Sequence, residues 1–95
     1  MYRIIIVGLA DGPRTPFDGQ YLAKYDPDTP GTDPNGHPMI ATIETTSDKT
    51  KALSFPTPEA VRRCYLQTPK PPYHIRPDGE PNRPLTAFTI SIVKE

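Results

Sequence analysis

"YRIIIVGL", residues 2–9, carries β-branched side chains on both parities between Ile4 and Val7. A half-wet strand alternates, so a run that is apolar on both parities predicts a central strand buried on both faces. The following "ADGPRTP" (10–16) holds Asp-Gly-Pro turn chemistry that ends the run. A second apolar run closes the sequence. "PLTAFTISIVKE" (84–95) sets Phe88, Ile90 and Ile92 on one face and Thr89 and Ser91 on the other, as in a strand covered on one side only. As the two most apolar strands, these are expected to pair at the centre of a sheet.

Three shorter strands and one helix lie between them. "FDGQYLAKYD" (17–26) alternates, with Tyr21, Ala23 and Tyr25 on one face and Leu22 and Lys24 on the other. "MIATIETT" (39–46) sends Met39, Ala41 and Ile43 to one side, and "KALSF" (51–55) sends Leu53 and Phe55 the same way. In "FPTPEAVRRCYLQTP" (55–69), Thr57 suits a helix N-cap, Pro58 the first helical position and Glu59 the positive end of the dipole, while Pro69 stops the helix. This predicts a helix over about 57–68, with Ala60, Val61, Cys64 and Tyr65 buried and Arg62, Arg63 and Gln67 outside. Residues 26–38, "DPDTPGTDPNGHP", have no strong apolar side chain and form a Pro/Gly-rich loop, long enough to be functional or mobile. The reading is α+β: a mostly antiparallel sheet of four to five strands with one helix packed on one face.

A chain of 95 residues suits a single small domain, and one this size buries only about 60–65% of its unfolded surface. Leu, Ile, Val and Phe make up 19 residues, near the border of disorder, but they cluster in periodic blocks, which favours a folded chain. The 14 prolines stiffen the loops and lower the entropy of the unfolded state. A single cysteine, Cys64, excludes an internal disulfide. No apolar run approaches the roughly 18 residues of a membrane span, and the start is a poor signal peptide, so a cytoplasmic location without membrane contact is expected.

The formal net charge is zero but polarised. Residues 1–48 hold three basic and seven acidic side chains, and residues 49–95 hold eight basic and four acidic. The basic segment 49–83 contains Lys49, Lys51, Arg62, Arg63, Lys70, Arg76 and Arg83, interleaved with Tyr65, Tyr73 and His74. Cations and rings together can hold phosphates and unpaired bases, which makes nucleic acid a possible partner. The pI of about 6.7 is far from the usual basic footprint and argues the other way.

Catalytic and metal constellations are missing from the pattern. A cysteine nucleophile would need His37 or His74 as base, yet Cys64 falls on the buried helix stripe. The loop aspartates Asp26, Asp28 and Asp33 with His37 do not meet the calcium-loop spacing in either glycine alignment. "VGLADG" is not a phosphate-binding loop. No catalytic residue, cofactor or metal ligand is therefore expected.

"RPDGEPNRPLTAF" (76–88) combines an Asp-Gly turn with prolines that hold their neighbours extended. It either delivers the chain to the last strand or presents Arg76, Asn82 and Arg83 as a stiff contact surface, joined by Arg62 and Arg63 from the helix. With "FDGQYL" (17–22) and "ALSFPTPEAV" (52–61), this stretch resembles small proteins carried by bacteriophages and prophages, whose shared motifs carry no assigned chemistry. The resemblance implies expression inside a bacterial host cell and action on a host or viral protein. The functional expectation is a non-enzymatic binding module for a protein partner that modulates a host system, with nucleic-acid binding through 49–83 as the alternative. The oligomeric state is left open.

Overall fold

The computed structural model describes residues 1–10, 12 and 14–94; Asp11 and Pro13 of the expected first turn, and Glu95 after the last strand, lie outside the described residues. In chain order the strands and helix are β1 (Tyr2–Leu9), β2 (Tyr21–Asp26), β3 (Gly31–Thr32), β4 (Pro38–Met39), β5 (Thr42–Thr46), α1 (Pro58–Tyr65) and β6 (Phe88–Lys94). The main sheet is antiparallel in the order β5-β2-β1-β6, and β3 with β4 forms a small second sheet. The architecture is α+β.

Ile4 and Ile6 of β1 are fully buried, as are Leu22 of β2, Val61 of α1 and Leu85 of the segment before β6. Together with Phe17, Ile43 and Phe88 they form one cluster on a single face of the sheet. The rings of Phe17 and Phe88 meet edge to face, 5.7 Å apart at 83°, the geometry favoured by the ring quadrupoles. Burial of β1 on both faces is not found: Val7 is 53% exposed. Among the described residues the one α-helix packs on the Ile4/Ile6 side, and no second layer covers the reverse. Pairing of the first and last strands holds along their length, from Tyr2 opposite Lys94 to Leu9 opposite Phe88. Of these two, however, β1 alone is interior, because β2 takes its other side and leaves β6 on the edge.

The helix starts where its caps predict. Thr57 Oγ1 accepts the Ala60 N–H at 3.1 Å, and Pro58 occupies the first turn with Glu59. It ends at Tyr65, earlier than the expected 68. The last turn tightens as the Gln67 N–H bonds the Cys64 carbonyl at 3.2 Å, and the approach to Pro69 disfavours further helical backbone. Val61 is buried, Ala60, Cys64 and Tyr65 are half-buried, and Arg62, Arg63 and Gln67 are exposed.

Other boundaries moved for local reasons. Residues 16–19 form a turn rather than strand, although Phe17 within it reaches the core. A bulge between Leu22 and Lys24 adds one residue to β2, so Tyr25 joins Leu22 on the core side instead of facing away with Tyr21. Residues 51–55 make no strand. Lys49–Lys51 is a 3-10 turn capped by Asp48, and the chain then wedges into the gap where β1 and β2 diverge. There Tyr2 and Phe55 exchange N–H to carbonyl bonds of 2.8 Å, and the Leu53 N–H reaches the Leu22 carbonyl at 3.0 Å. "MIATIETT" splits into β4 and β5, while Met39, Ala41 and Ile43 still turn inward. The residues "PLTA" that open the last apolar run are a 3-10 turn, Pro84–Ala87, with Pro84 and Leu85 buried beneath it.

Candidate functional site: a proline-walled cleft

The first wall, residues 26–40, takes in the expected loop 26–38, and that loop is folded by its own aspartates. The Asp26 carboxylate accepts the Asp28 N–H at 2.9 Å and the Thr29 hydroxyl at 2.8 Å. The Thr29 bond, followed by the Asp28 amide, holds its carboxyl below the ordinary value. Asp33 Oδ1 accepts the N–H groups of Asn35 and His37, each at 2.9 Å, and closes the turn between β3 and β4. Gly36 sits there at φ +84°, a left-handed conformation that glycine adopts without strain. Gly31 lets this small hairpin lie against β5, since a Cβ would stand 3.1 Å from Thr42 Cα.

The facing wall, residues 69–83, is also shaped by its backbone. It begins at buried Pro69 and passes a cis Pro71-Pro72 bond. It then makes a hairpin in which the Arg76 N–H bonds the Glu80 carbonyl at 2.8 Å and the Asn82 N–H bonds the His74 carbonyl at 2.9 Å. Asn82 Nδ2 donates to the Tyr73 carbonyl at 3.0 Å. Pro84 and Leu85 then anchor the chain in the core.

The two walls are tied to each other. The Lys70 N–H donates to Asp28 Oδ1 at 2.6 Å, and the Tyr25 hydroxyl donates to the Gln67 carbonyl at 3.4 Å. Burial is the main cause that raises the Tyr25 phenol to about 12, against a weaker opposing effect of the Leu85 backbone. Between the walls lies a cleft of about 610 Å³, lined by Pro27, Pro30 and Ile40 on one side and Pro69, Pro71 and Tyr73 on the other, with Asp28, Lys70 and Asn82 as its polar members. Ile40 is 70% exposed and Tyr73 74% exposed. Four prolines fix the walls, and two large apolar side chains stand in solvent beside them.

Of the contact residues expected from sequence, only Asn82 lines this cleft. Arg76 and Arg83 are exposed on the same connecting segment outside the lining, and Arg76 Nη2 lies 3.4 Å from Asp78 Oδ2. Arg62 and Arg63 project from α1 and also stay outside. The other basic residues are dispersed: Arg3 Nε donates to the Lys49 carbonyl at 3.0 Å at one end of the sheet, and Lys70 stands at the cleft. Cys64 is half-buried in the core, and burial pushes its thiol up, away from the nucleophilic thiolate. His37 pairs with Asp33 at 3.4 Å on the far hairpin. Among the described residues no three His, Cys, Asp or Glu side chains are grouped to hold a metal ion, and no helix is long and apolar enough to cross a membrane.

Sequence reasoning missed Ile40 and marked Tyr73 only as a ring that could stack on an unpaired base. Ile40 was the one large apolar side chain of wrong parity in "MIATIETT", next to a proline-rich turn. Tyr73 followed two prolines, which excludes it from a regular buried strand. Both were signals of an exposed apolar position. No family model, curated protein or solved structure matches this chain.

Proposed function

We propose that this protein is a non-enzymatic binding module, of the small phage or prophage type and acting in a bacterial cytoplasm, that holds an apolar segment of a protein partner in the cleft. The observation that carries this reading is the exposure of Ile40 and Tyr73 over a pre-shaped proline wall. Large apolar groups left in solvent gain free energy when a partner covers them, and tyrosine is enriched among residues that dominate binding. Walls fixed by prolines and turn hydrogen bonds lose little entropy on binding. Asp28, Lys70 and Asn82 supply the few polar groups that orient such a segment. Arg76 and Arg83 border the cleft in sequence and serve as its flanking contacts, whereas Arg62 and Arg63 contribute only to a partner that also reaches the helix. Neither Cys64 nor a histidine lines the cleft, which weighs against a nucleophilic reaction there.

The test is capture of the tagged protein from a bacterial lysate, with and without nuclease, beside a variant carrying Ile40→Asp and Tyr73→Ala. The expected result is a protein retained by the wild type after nuclease and lost by the variant. Retention that ignores both substitutions overturns the cleft as the contact surface. Enrichment abolished by nuclease replaces it with the nucleic-acid alternative through 49–83, whose affinity must then fall steeply with salt.

A further inference from the structure

The two edges of the main sheet are unequal. β5 is short, its Glu44 pairs with Lys24 at 3.7 Å, and the small hairpin lies over its first residue, where Thr42 Oγ1 donates to the Thr29 carbonyl at 3.0 Å. β6 carries no such guard: it spans seven residues, contains no proline and has a single charged residue, Lys94, at its end. Natural edges usually carry several of these protections.

Which peptide groups of β6 face outward follows from β1. The Ile6 N–H donates to the Gln20 carbonyl at 3.0 Å, and its carbonyl accepts the Gly19 N–H at 2.7 Å, so Ile6 points its backbone toward β2. By strand alternation Arg3 and Ile5 point theirs toward β6, engaging Val93 and Ser91 opposite them. Ile90, Ile92 and Lys94 therefore turn their N–H and carbonyl groups away from the sheet. The Phe88 carbonyl, of the same parity, already accepts the Tyr65 hydroxyl at 2.6 Å, so the open stretch is 90–94, centred on Ile92. The Ile92 side chain belongs to the core face, opposite buried Ile4, yet it is 48% exposed.

We infer that β6 is a self-association edge: two copies of this chain join antiparallel about a two-fold axis at Ile92, making one continuous sheet across both molecules. The occupant is a second copy because this edge complements itself. In that register Ile92 faces Ile92 of the second copy, Ile90 faces Lys94 and Ser91 faces Val93. Every outward N–H and carbonyl of 90–94 finds a partner, and the exposed Ile92 side chains cover one another at the roughly 5.5 Å spacing of a bonded pair. The two Lys94 side chains lie at opposite ends of the seam, where no like charges face each other. The Lys94 ammonium already leans over the Tyr2 ring, 6.0 Å from its centroid, which leaves its aliphatic stem to flank Ile90 of the second copy.

Sedimentation velocity over a concentration series tests this, with circular dichroism showing that each variant folds. The wild type should move from 10.6 kDa toward twice that mass as concentration rises. Ile92→Lys and Ile92→Glu, each placing like charges across the axis, should weaken self-association at least tenfold. An equimolar mixture of the two should associate again, because opposite charges then meet at the seam. Tyr73→Ala, which removes a ring of the cleft and nothing of β6, should leave the self-association unchanged. A wild type that stays monomeric up to about 1 mM, where association would be worth less than about 4 kcal/mol, overturns the inference. So does self-association insensitive to Ile92→Lys, or a mixture of folded variants that fails to associate.

Discussion

Leu85 and Tyr73 sit on the same connecting segment between α1 and β6, and they are held in opposite ways. Leu85 has no exposed surface and packs with Ile4, Ile6, Val61 and Phe88, whereas Tyr73 is 74% exposed on a hairpin shaped by backbone bonds and prolines. The core region keeps its shape because apolar area leaves water. The cleft walls keep theirs because aspartate caps, glycine turns and proline rings leave the backbone few alternatives, with little burial required. A domain with a thin core can thus present a rigid surface without enlarging that core. The two kinds of rigidity should fail under different perturbations.

The largest effect belongs to the core. Leu85→Ala should cost about 2–5 kcal/mol through lost transfer energy and the cavity left behind, read as a lower midpoint in urea with little change in slope. A loss well under 1 kcal/mol would mean that the segment before β6 is not an anchor, and the contrast with Tyr73 would collapse.

An intermediate, local effect belongs to Asp33. Its carboxyl is held below the ordinary 3.8, first by the His37 amide and then by the Asn35 amide. A depressed pKa contributes stability above 3.8 and loses it as pH falls through the folded value, so the β3–β4 turn should loosen only below that pH. The Asn35 and His37 amide signals in NMR should titrate with a midpoint below 3.8, while core methyl signals stay in place. Simultaneous movement of both sets would show that the hairpin is not an independent unit.

The smallest effect belongs to the cleft. Tyr73→Ala should change unfolding free energy by no more than about 0.5 kcal/mol, as for exposed positions outside special backbone features, while abolishing partner capture. Thermal unfolding of the pure variant checks the first half. A large destabilisation would make Tyr73 structural and remove it from the binding surface.

The helix N-terminus was legible because Thr57, Pro58 and Glu59 act on backbone groups within one turn, and its buried stripe followed from the helical period. The inward face of β6 and the turn at Asp78-Gly79 were equally local. Only Asn82 among the expected contact residues reached the cleft. A cluster of arginines in sequence says nothing about which loops meet, and here Arg62 and Arg63 sit on a helix face outside it. Ile40 went unrecognised, and Tyr73 stood out only as a ring for unpaired bases, because what places both at the cleft is exposure, a property of the folded surface.

Propensity, period and turn chemistry were enough for an α+β chain with one capped helix, stiff loops and its most apolar strands paired, since each depends on residues a few positions apart. The single covered face of the sheet, the bulge that turns Tyr25 inward and the wedge at 53–55 depended on how the elements compete for one small core. The cleft depended on the bond from Lys70 to Asp28, partners 42 residues apart. Nothing in either local stretch names the other, and they meet only because burial of the core brings their loops to the same end of the molecule.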